Sequence, residues 1–278
     1  MHNRQQKGKR NMSQNVLVVH GGGPTAVINA SLYGVIEEAK RNPEVGKVYG
    51  AIGGTGAIFS ETFIDLTSFD DEKLKLLLHT PASAIGSSRY PLYEKDYEKM
   101  VDIFKKHDIK YVLLNGGNGT MDACGHIYEV CKDQDIKVVG IPKTIDNDIA
   151  MTDHSPGYGS AARFIAASTQ EVGEDVRSLP IHVCIMEAMG RNAGWITAAS
   201  ALARRKQGDA PHLIYLPERN FNEDEFLEDV AVLQKKQGGV VVLVSEGLHD
   251  ENGESIVPPI FKSERAVYYG DVSSHLAN

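Results

Sequence analysis

Three consecutive glycines, Gly21-Gly22-Gly23, follow almost directly on the apolar run Asn15-Val16-Leu17-Val18-Val19. They precede a stretch from Ala26 to about Arg41 in which Val27, Leu32, Ile36 and Ala39 recur at helical spacing. A β-branched run, a glycine turn and a helix form one strand–turn–helix unit. The same order returns at Lys110–Asn115, Gly116-Gly117-Asn118-Gly119-Thr120 and a helix through Cys131. Strand-type runs at Lys47–Gly54, Ile136–Ile141, Ile181–Glu187, His212–Leu216 and Gly239–Gly247 alternate with helical patterns at 71–77, 93–106, a long one that 152–162 leads into and that reaches about 176, one after Trp195 through 204, and 223–236. Such alternation requires crossover helices and mostly parallel sheets. The expected class is therefore α/β, with two doubly wound, Rossmann-like domains. A chain of 278 residues is long enough for two.

The expected organisation is a disordered, basic arm over 1–14, a first α/β domain over 15–158 and a second over 159–278. Composition narrows the function. The net charge of -8 argues against general nucleic-acid binding. No apolar run reaches the roughly 18 residues of a membrane helix, and no signal-peptide pattern is present, so a cytoplasmic protein without membrane association is expected. Cys124 and Cys131 are seven apart, which puts them on one helix face as core thiols. With Cys184 they make an odd, small count that fits a reducing compartment.

The chemistry-bearing residues cluster at strand ends, where open α/β sheets bind ligands. Each glycine turn opens a helix, so backbone N–H groups and the helix dipole favour an anion there. Gly22 and Gly23 belong to the first turn; Gly117, Gly119 and Thr120 belong to the second, whose helix Asn118 or Thr120 can cap. Pro142-Lys143-Thr144-Ile145-Asp146-Asn147-Asp148 follows a run expected to be a buried strand, and proline is expected to stop its pairing. It presents one cation and two carboxylates within six residues. Taken alone, a solvated charged loop has the same composition. Arg89, in the polar loop Gly86-Ser87-Ser88-Arg89, Arg191, after the strand at 181–187, and Glu246, at the end of the last strand, add to the set. Gly157-x-Gly159-x-x-Ala162 fits a dinucleotide fingerprint, but no strand precedes it, which removes the required context. No Walker A sequence, metal-type Cys/His cluster or Ser-His-Asp ordering is evident. Many phosphate-suited groups with a free carboxylate base suggest phosphoryl transfer to a hydroxyl.

Gly-Gly-Asn-Gly-Thr, then Pro-Lys-Thr-Ile-Asp-Asn-Asp, then Met-Glu-Ala-Met-Gly-Arg, in that order, resemble the phosphofructokinase family from about residue 14 onward. The resemblance implies transfer to the 1-hydroxyl of fructose 6-phosphate, with Mg2+, at a site in the cleft between two domains. It implies Asp146 as catalytic base, with Thr144 and Asp148 contacting the sugar or positioning the metal–phosphate unit. Met189, Gly190 and Arg191 match the loop that holds the sugar phosphate ester, with Arg191 also placed to stabilise transition-state charge. Glu246 matches a carboxylate that binds sugar hydroxyls. Arg89 and the glycines near Gly22 match the phosphoryl-donor side. Asn118 stands where the family usually has a magnesium-associated aspartate. His182 stands where it often has an arginine that reaches a neighbouring subunit's sugar phosphate, in a homodimer or homotetramer; some members of the family are allosteric.

The same resemblance makes Lys143 a marker of pyrophosphate use, because a lysine fills the space of an ATP α-phosphate. Gly119 is the choice found with ATP. Pyrophosphate is the preferred donor on the strength of Lys143, and ATP is the alternative. The family normally continues into a segment that returns to the first domain and adds basic ligands, so a truncated chain is expected. A member that binds sugar phosphate without turning it over is a further reading, supported by Asn118 and by that end.

Overall fold

The computed structural model describes residues 14–25, 27–88, 90–262 and 267–278. The chain divides into two compact units, Met1–Lys143 and Thr144–Asn278. The division falls after Lys143 rather than near residue 158. The backbone gives the reason. The Thr144 N–H donates to Pro156 O at 3.0 Å, Thr144 bridges Gly157, and Ile145 packs on the core of the second unit, so the stretch after Lys143 is held there. The expected arm lies outside the described residues except for Gln14, which opens the first strand.

The first unit runs β1 (Gln14–Gly21), α1 (Ile28–Arg41), β2 (Val45–Ala51), α2 (Gly56–Phe59), β3 (Phe63–Asp65), α3 (Asp71–Lys75), α4 (Glu94–Lys106), β4 (Ile109–Gly116), α5 (Asn118–Cys131) and β5 (Lys137–Pro142). The sheet order is β3-β2-β1-β4-β5. β1, β2, β4 and β5 are parallel, and only β3, which local periodicity did not announce, runs antiparallel to its neighbour. β1 shows why the sheet is covered on both faces. Val16 and Val18 pack with Leu32 and Ile36 of α1, whereas Leu17 and Val19 pack with Met100 and Phe104 of α4 and Ile127 of α5. The period of two sends alternate residues to opposite layers, and each fully buried aliphatic chain contributes roughly 1.5–3 kcal/mol. Cys124 and Cys131 share the second of these cores, and burial pushes the Cys131 thiol up to about 11. The chain moves outward through β2 and then, on the other side of β1, through β4 and β5. The order therefore reverses between β1 and β4.

β5 departs from expectation. It is an edge strand, Val139 is half exposed, and Pro142 is its last paired residue, opposite Gly116. Proline lacks an N–H, and an edge tolerates that loss.

The second unit runs α6 (Tyr158–Ser178), β6 (Val183–Ala188), α7 (Trp195–Ala199), β7 (Leu213–Tyr215), α8 (Glu223–Gln237), β8 (Val240–Ser245), β9 (Pro259–Lys262), β10 (Val267–Tyr269) and α9 (Val272–Ala277). β6, β8 and β7 form a parallel sheet with β8 central, and β9 and β10 form an antiparallel hairpin. β8 repeats the logic of β1. Val241 and Leu243 pack with Ile165 and Ile196, and Val240, Val242 and Val244 pack with Phe226, Val257 and Val272. α7 is shorter than the alanine-rich run suggested and passes into a tighter turn at Ser200–Ala203, where the Ser200 hydroxyl donates to Thr197 O. Among the described residues no helix is long and apolar enough to cross a membrane.

Candidate active site

The two glycine turns stand at the C-terminal ends of β1 and β4, on either side of the point where the strand order reverses. Gly21 and Gly116 are register partners. Thr120, buried, fills the space between them. A Cβ on either glycine would run into Thr120 Oγ1, and one on Gly116 would also lie 2.6 Å from Gly21 O. Glycine at 21 and 116 is thus required by close packing. Gly22 has φ +72°, a conformation that favours glycine. Gly23 and Gly119 differ, because a Cβ on either would have nothing within 4 Å among the described residues. The N-cap of α5 is Gly117, with no side-chain cap hydrogen bond. Neither Asn118 nor Thr120 caps this helix; the Thr120 N–H turns back to Gly117 O at 2.9 Å.

Serines fix the first turn. Ser87 Oγ donates to Gly22 O at 2.5 Å, the Gly22 N–H donates to Ser88 O at 3.1 Å, and the Thr55 N–H donates to Ser88 Oγ at 3.1 Å. Arg89, next in the chain, lies outside the described residues. Ser83 Oγ donates to Gly86 O at 2.7 Å and therefore accepts from Nδ1 of the fully buried His20, also at 2.7 Å. Burial, and then the charge of Lys143, lower the His20 imidazole to about 4 and keep it neutral. Lys143 is buried at 5% exposure, and its N–H donates to Gly116 O at 3.0 Å. Its Nζ lies 3.9 Å from where a Gly117 Cβ would stand. The lysine ammonium is thereby held at the second glycine turn, over a helix N-terminus that favours negative charge.

In the second unit, Asn147 staples the acidic loop. It is buried with φ +59°; its Nδ2 donates to Asp153 O at 3.2 Å, and its Oδ1 accepts from the Ser155 N–H at 2.7 Å. Asn147 was absent from the residues singled out by sequence, yet it fixes the loop that carries its two neighbours. The buried Thr144 hydroxyl accepts from the Asp146 N–H at 3.0 Å. Asp146 is half-buried, and Asp148 is exposed.

The ends of β6 and β8 are joined side chain to backbone. The Gly190 N–H donates to Glu246 Oε1 at 3.1 Å, Ser245 Oγ donates to Gly190 O at 2.9 Å, and the Gly247 N–H donates to Ser245 Oγ at 3.0 Å. Gly190 has φ +115°, and a Cβ on Gly247 would lie 2.5 Å from the Arg191 carbonyl carbon. Arg191 and Glu246 share a cavity of about 340 Å³ with His249, Ser255 and Tyr269. Met189 is exposed. His182 is not brought to this group. It precedes β6, whereas Met189–Arg191 follow it, and a six-residue strand spans about 20 Å. A smaller cavity of about 140 Å³, lined by Arg177, Arg205 and His212, also lies at the far ends of the strands. His249 and Tyr269 escaped the sequence reading, because their proximity to Arg191 depends on contacts far apart in the chain.

Two α/β units whose strand ends carry glycine turns, a buried lysine, carboxylates and an arginine define a class of phosphate-suited α/β proteins. The profile of the Phosphofructokinase family matches residues 15–275, and the chain belongs to that family. It is 42% identical to the pyrophosphate--fructose 6-phosphate 1-phosphotransferase of Rhodospirillum rubrum over 92% of this chain and 64% of that protein. It is 41% identical to the protein of the same name from Halomonas elongata, over 86% of this chain and 60% of that one. A crystal structure of a pyrophosphate-dependent phosphofructokinase from Marinobacter aquaeolei is 40% identical, with a TM-score of 0.77, covering 86% of this chain and 62% of that one. The chain thus spans somewhat under two thirds of the length of these relatives.

Proposed function

We propose that this chain acts in phosphoryl transfer from pyrophosphate to the 1-hydroxyl of fructose 6-phosphate, giving fructose 1,6-bisphosphate and orthophosphate. The observation that carries the reading is Lys143, a buried ammonium beside the backbone of the second glycine turn. The names of the relatives support the same donor. Asp146 accepts the proton of the hydroxyl as its oxygen attacks, and the bond from the transferred phosphorus to the bridging oxygen breaks. Lys143 binds the pyrophosphate and offsets charge on the departing phosphate, with Gly22, Gly23, Arg89, Gly117, Gly119 and Thr120 on the donor side. Met189, Gly190 and Arg191 hold the sugar phosphate, Arg191 as a bidentate fork, while Glu246, Thr144 and Asp148 orient the sugar. His182, remote from this set in its own chain, serves a neighbouring copy in a homodimer or homotetramer. The reaction belongs to the cytoplasm, and it is close enough to equilibrium to run either way.

Magnesium is the ion this reading calls for. Magnesium takes hard oxygen ligands and is commonly held by one or two carboxylates plus substrate phosphates. Among the described residues no group of three or more His, Cys, Asp or Glu forms a metal cluster. The chain's share would be the Asn118 amide oxygen, with Thr144 and Asp148 positioning the metal–phosphate unit. When bound, the ion neutralises charge on the transferring phosphoryl group.

One observation favours ATP as a second donor. Among the described residues nothing lies within 4 Å of where a Gly119 Cβ would stand, which leaves room at that position for a larger donor. The reading is tested by incubating the chain with fructose 6-phosphate, Mg2+ and pyrophosphate and following fructose 1,6-bisphosphate. Product is expected. Sugar phosphate that binds without product from either donor would favour a non-catalytic member.

A further inference from the structure

The guanidinium of Arg191 is gripped by the β9–β10 hairpin. Nη1 donates to Val267 O at 3.2 Å, and the guanidinium carbon lies 5.2 Å from the centre of the Tyr269 ring, within cation–π range. Nη2 is 4.0 Å from Glu246 Oε2, too far for a hydrogen bond. Arg191 is a long side chain, 46% exposed, and ordering it costs rotamer freedom. Without the hairpin, the nearest strong attraction for the fork would be Glu246. The hairpin opposes that attraction from the other side.

The perch is anchored to the strand that leads to Arg191. The Ser273 N–H, at the start of α9, donates to Glu187 Oε2 of β6 at 2.8 Å, and Val272 is fully buried in the core beneath. Three residues separate Ser273 from the ring of Tyr269, and three separate Glu187 from Arg191. The ring and the guanidinium are thus tied to one another through a short, partly buried frame.

We propose that Tyr269 is a positioning residue. Its ring, with the Val267 carbonyl, holds Arg191 off Glu246 so that the fork faces the cavity ready for a phosphate ester, and Glu187 fixes the ring in place. The proposal rests on the reading of Arg191 as a sugar-phosphate ligand. It predicts coupling, which a merely structural tyrosine would not show.

The test uses the whole 278-residue chain and calorimetric titration of fructose 6-phosphate. Tyr269→Leu should weaken binding by roughly three- to thirtyfold, and Tyr269→Phe, which keeps the ring, should restore it. Glu187→Gln, which leaves both partners in place, should weaken binding roughly two- to fivefold. In an Arg191→Ala background either change should add less than about twofold. Equal losses in both backgrounds, or no rescue by phenylalanine, would overturn the proposal. If the native chain binds no fructose 6-phosphate, the functional reading has failed, and the ligand-free protein decides about Tyr269. The Arg191 side-chain N–H resonance should carry a ring-current shift that persists in Tyr269→Phe and disappears in Tyr269→Leu. A resonance unchanged in Tyr269→Leu would rule out the grip.

Discussion

The two units hold their candidate groups by different means. In the first, the ligand-facing surface is mainly backbone. Glycine turns at the ends of β1 and β4 are wedged together by Thr120, and the buried Lys143 brings a charge to them. In the second, it is mainly side chain. Arg191 and Glu246 are oriented by Gly190, Ser245, Val267 and Tyr269, and Asp146 rides on a loop stapled by Asn147. A backbone site recognises an anion without choosing its shape, whereas a fork and a carboxylate select geometry. The first arrangement suits a donor made wholly of phosphate, and the second suits a sugar ester. The difference also predicts where each unit breaks.

The largest effect should come from the second unit's acid. Asp146→Asn should lower turnover by roughly 10²- to 10⁴-fold while leaving fructose 6-phosphate affinity nearly unchanged, read by steady-state kinetics beside calorimetry. Turnover close to native would remove Asp146 as the base.

The next tests the buried frame of the first unit. His20 titrates near 4 when folded, lowered by burial and then by Lys143, against about 6.5 unfolded. Between those values the unfolded chain binds more protons, so stability falls as pH falls. The contribution is fully present above about 6.5 and is lost by about 4. A pKa difference of about 2.5 corresponds to about 3 kcal/mol. Urea denaturation at pH 7 and pH 4 should show the native chain losing about that much more than His20→Gln. Parallel losses in the two proteins would place the acid sensitivity elsewhere.

Two glycines sharpen the contrast within one turn. Gly116→Ala, whose Cβ meets Thr120 and Gly21 O, should cost about 1–3 kcal/mol in chemical denaturation. Gly119→Ala, which opens on free space, should fall within about 0.5 kcal/mol of native. Equal costs at the two positions would mean that the wedge does not govern the turn.

Much of this was readable from local pattern. The alternation in Val16–Val19 and Val240–Val244 specifies two-faced burial, and the glycine runs mark the turns. The Lys143–Asp148 loop announces its charges. What pattern could not supply was partnership across distance. Thr120 reads as a cap until Gly21, far earlier in the chain, is seen against it. β5 reads as a buried strand because Val138, Val139 and Ile141 are apolar, yet its place at the sheet edge is set by strand order. β9 and β10 carry no strong alternation and were missed, and with them Tyr269. His182, whose position resembles one that reaches a neighbouring subunit, stands apart from Arg191 of its own chain by the length of β6.

The donor comparison, native against Lys143→Gly, tests the central claim most directly. With fructose 6-phosphate and Mg2+ held constant, fructose 1,6-bisphosphate formation should be faster with pyrophosphate than with ATP in the native chain, and Lys143→Gly should lower the pyrophosphate rate at least about tenfold while leaving or raising that with ATP. Good turnover with ATP and none with pyrophosphate in the native chain would contradict the account.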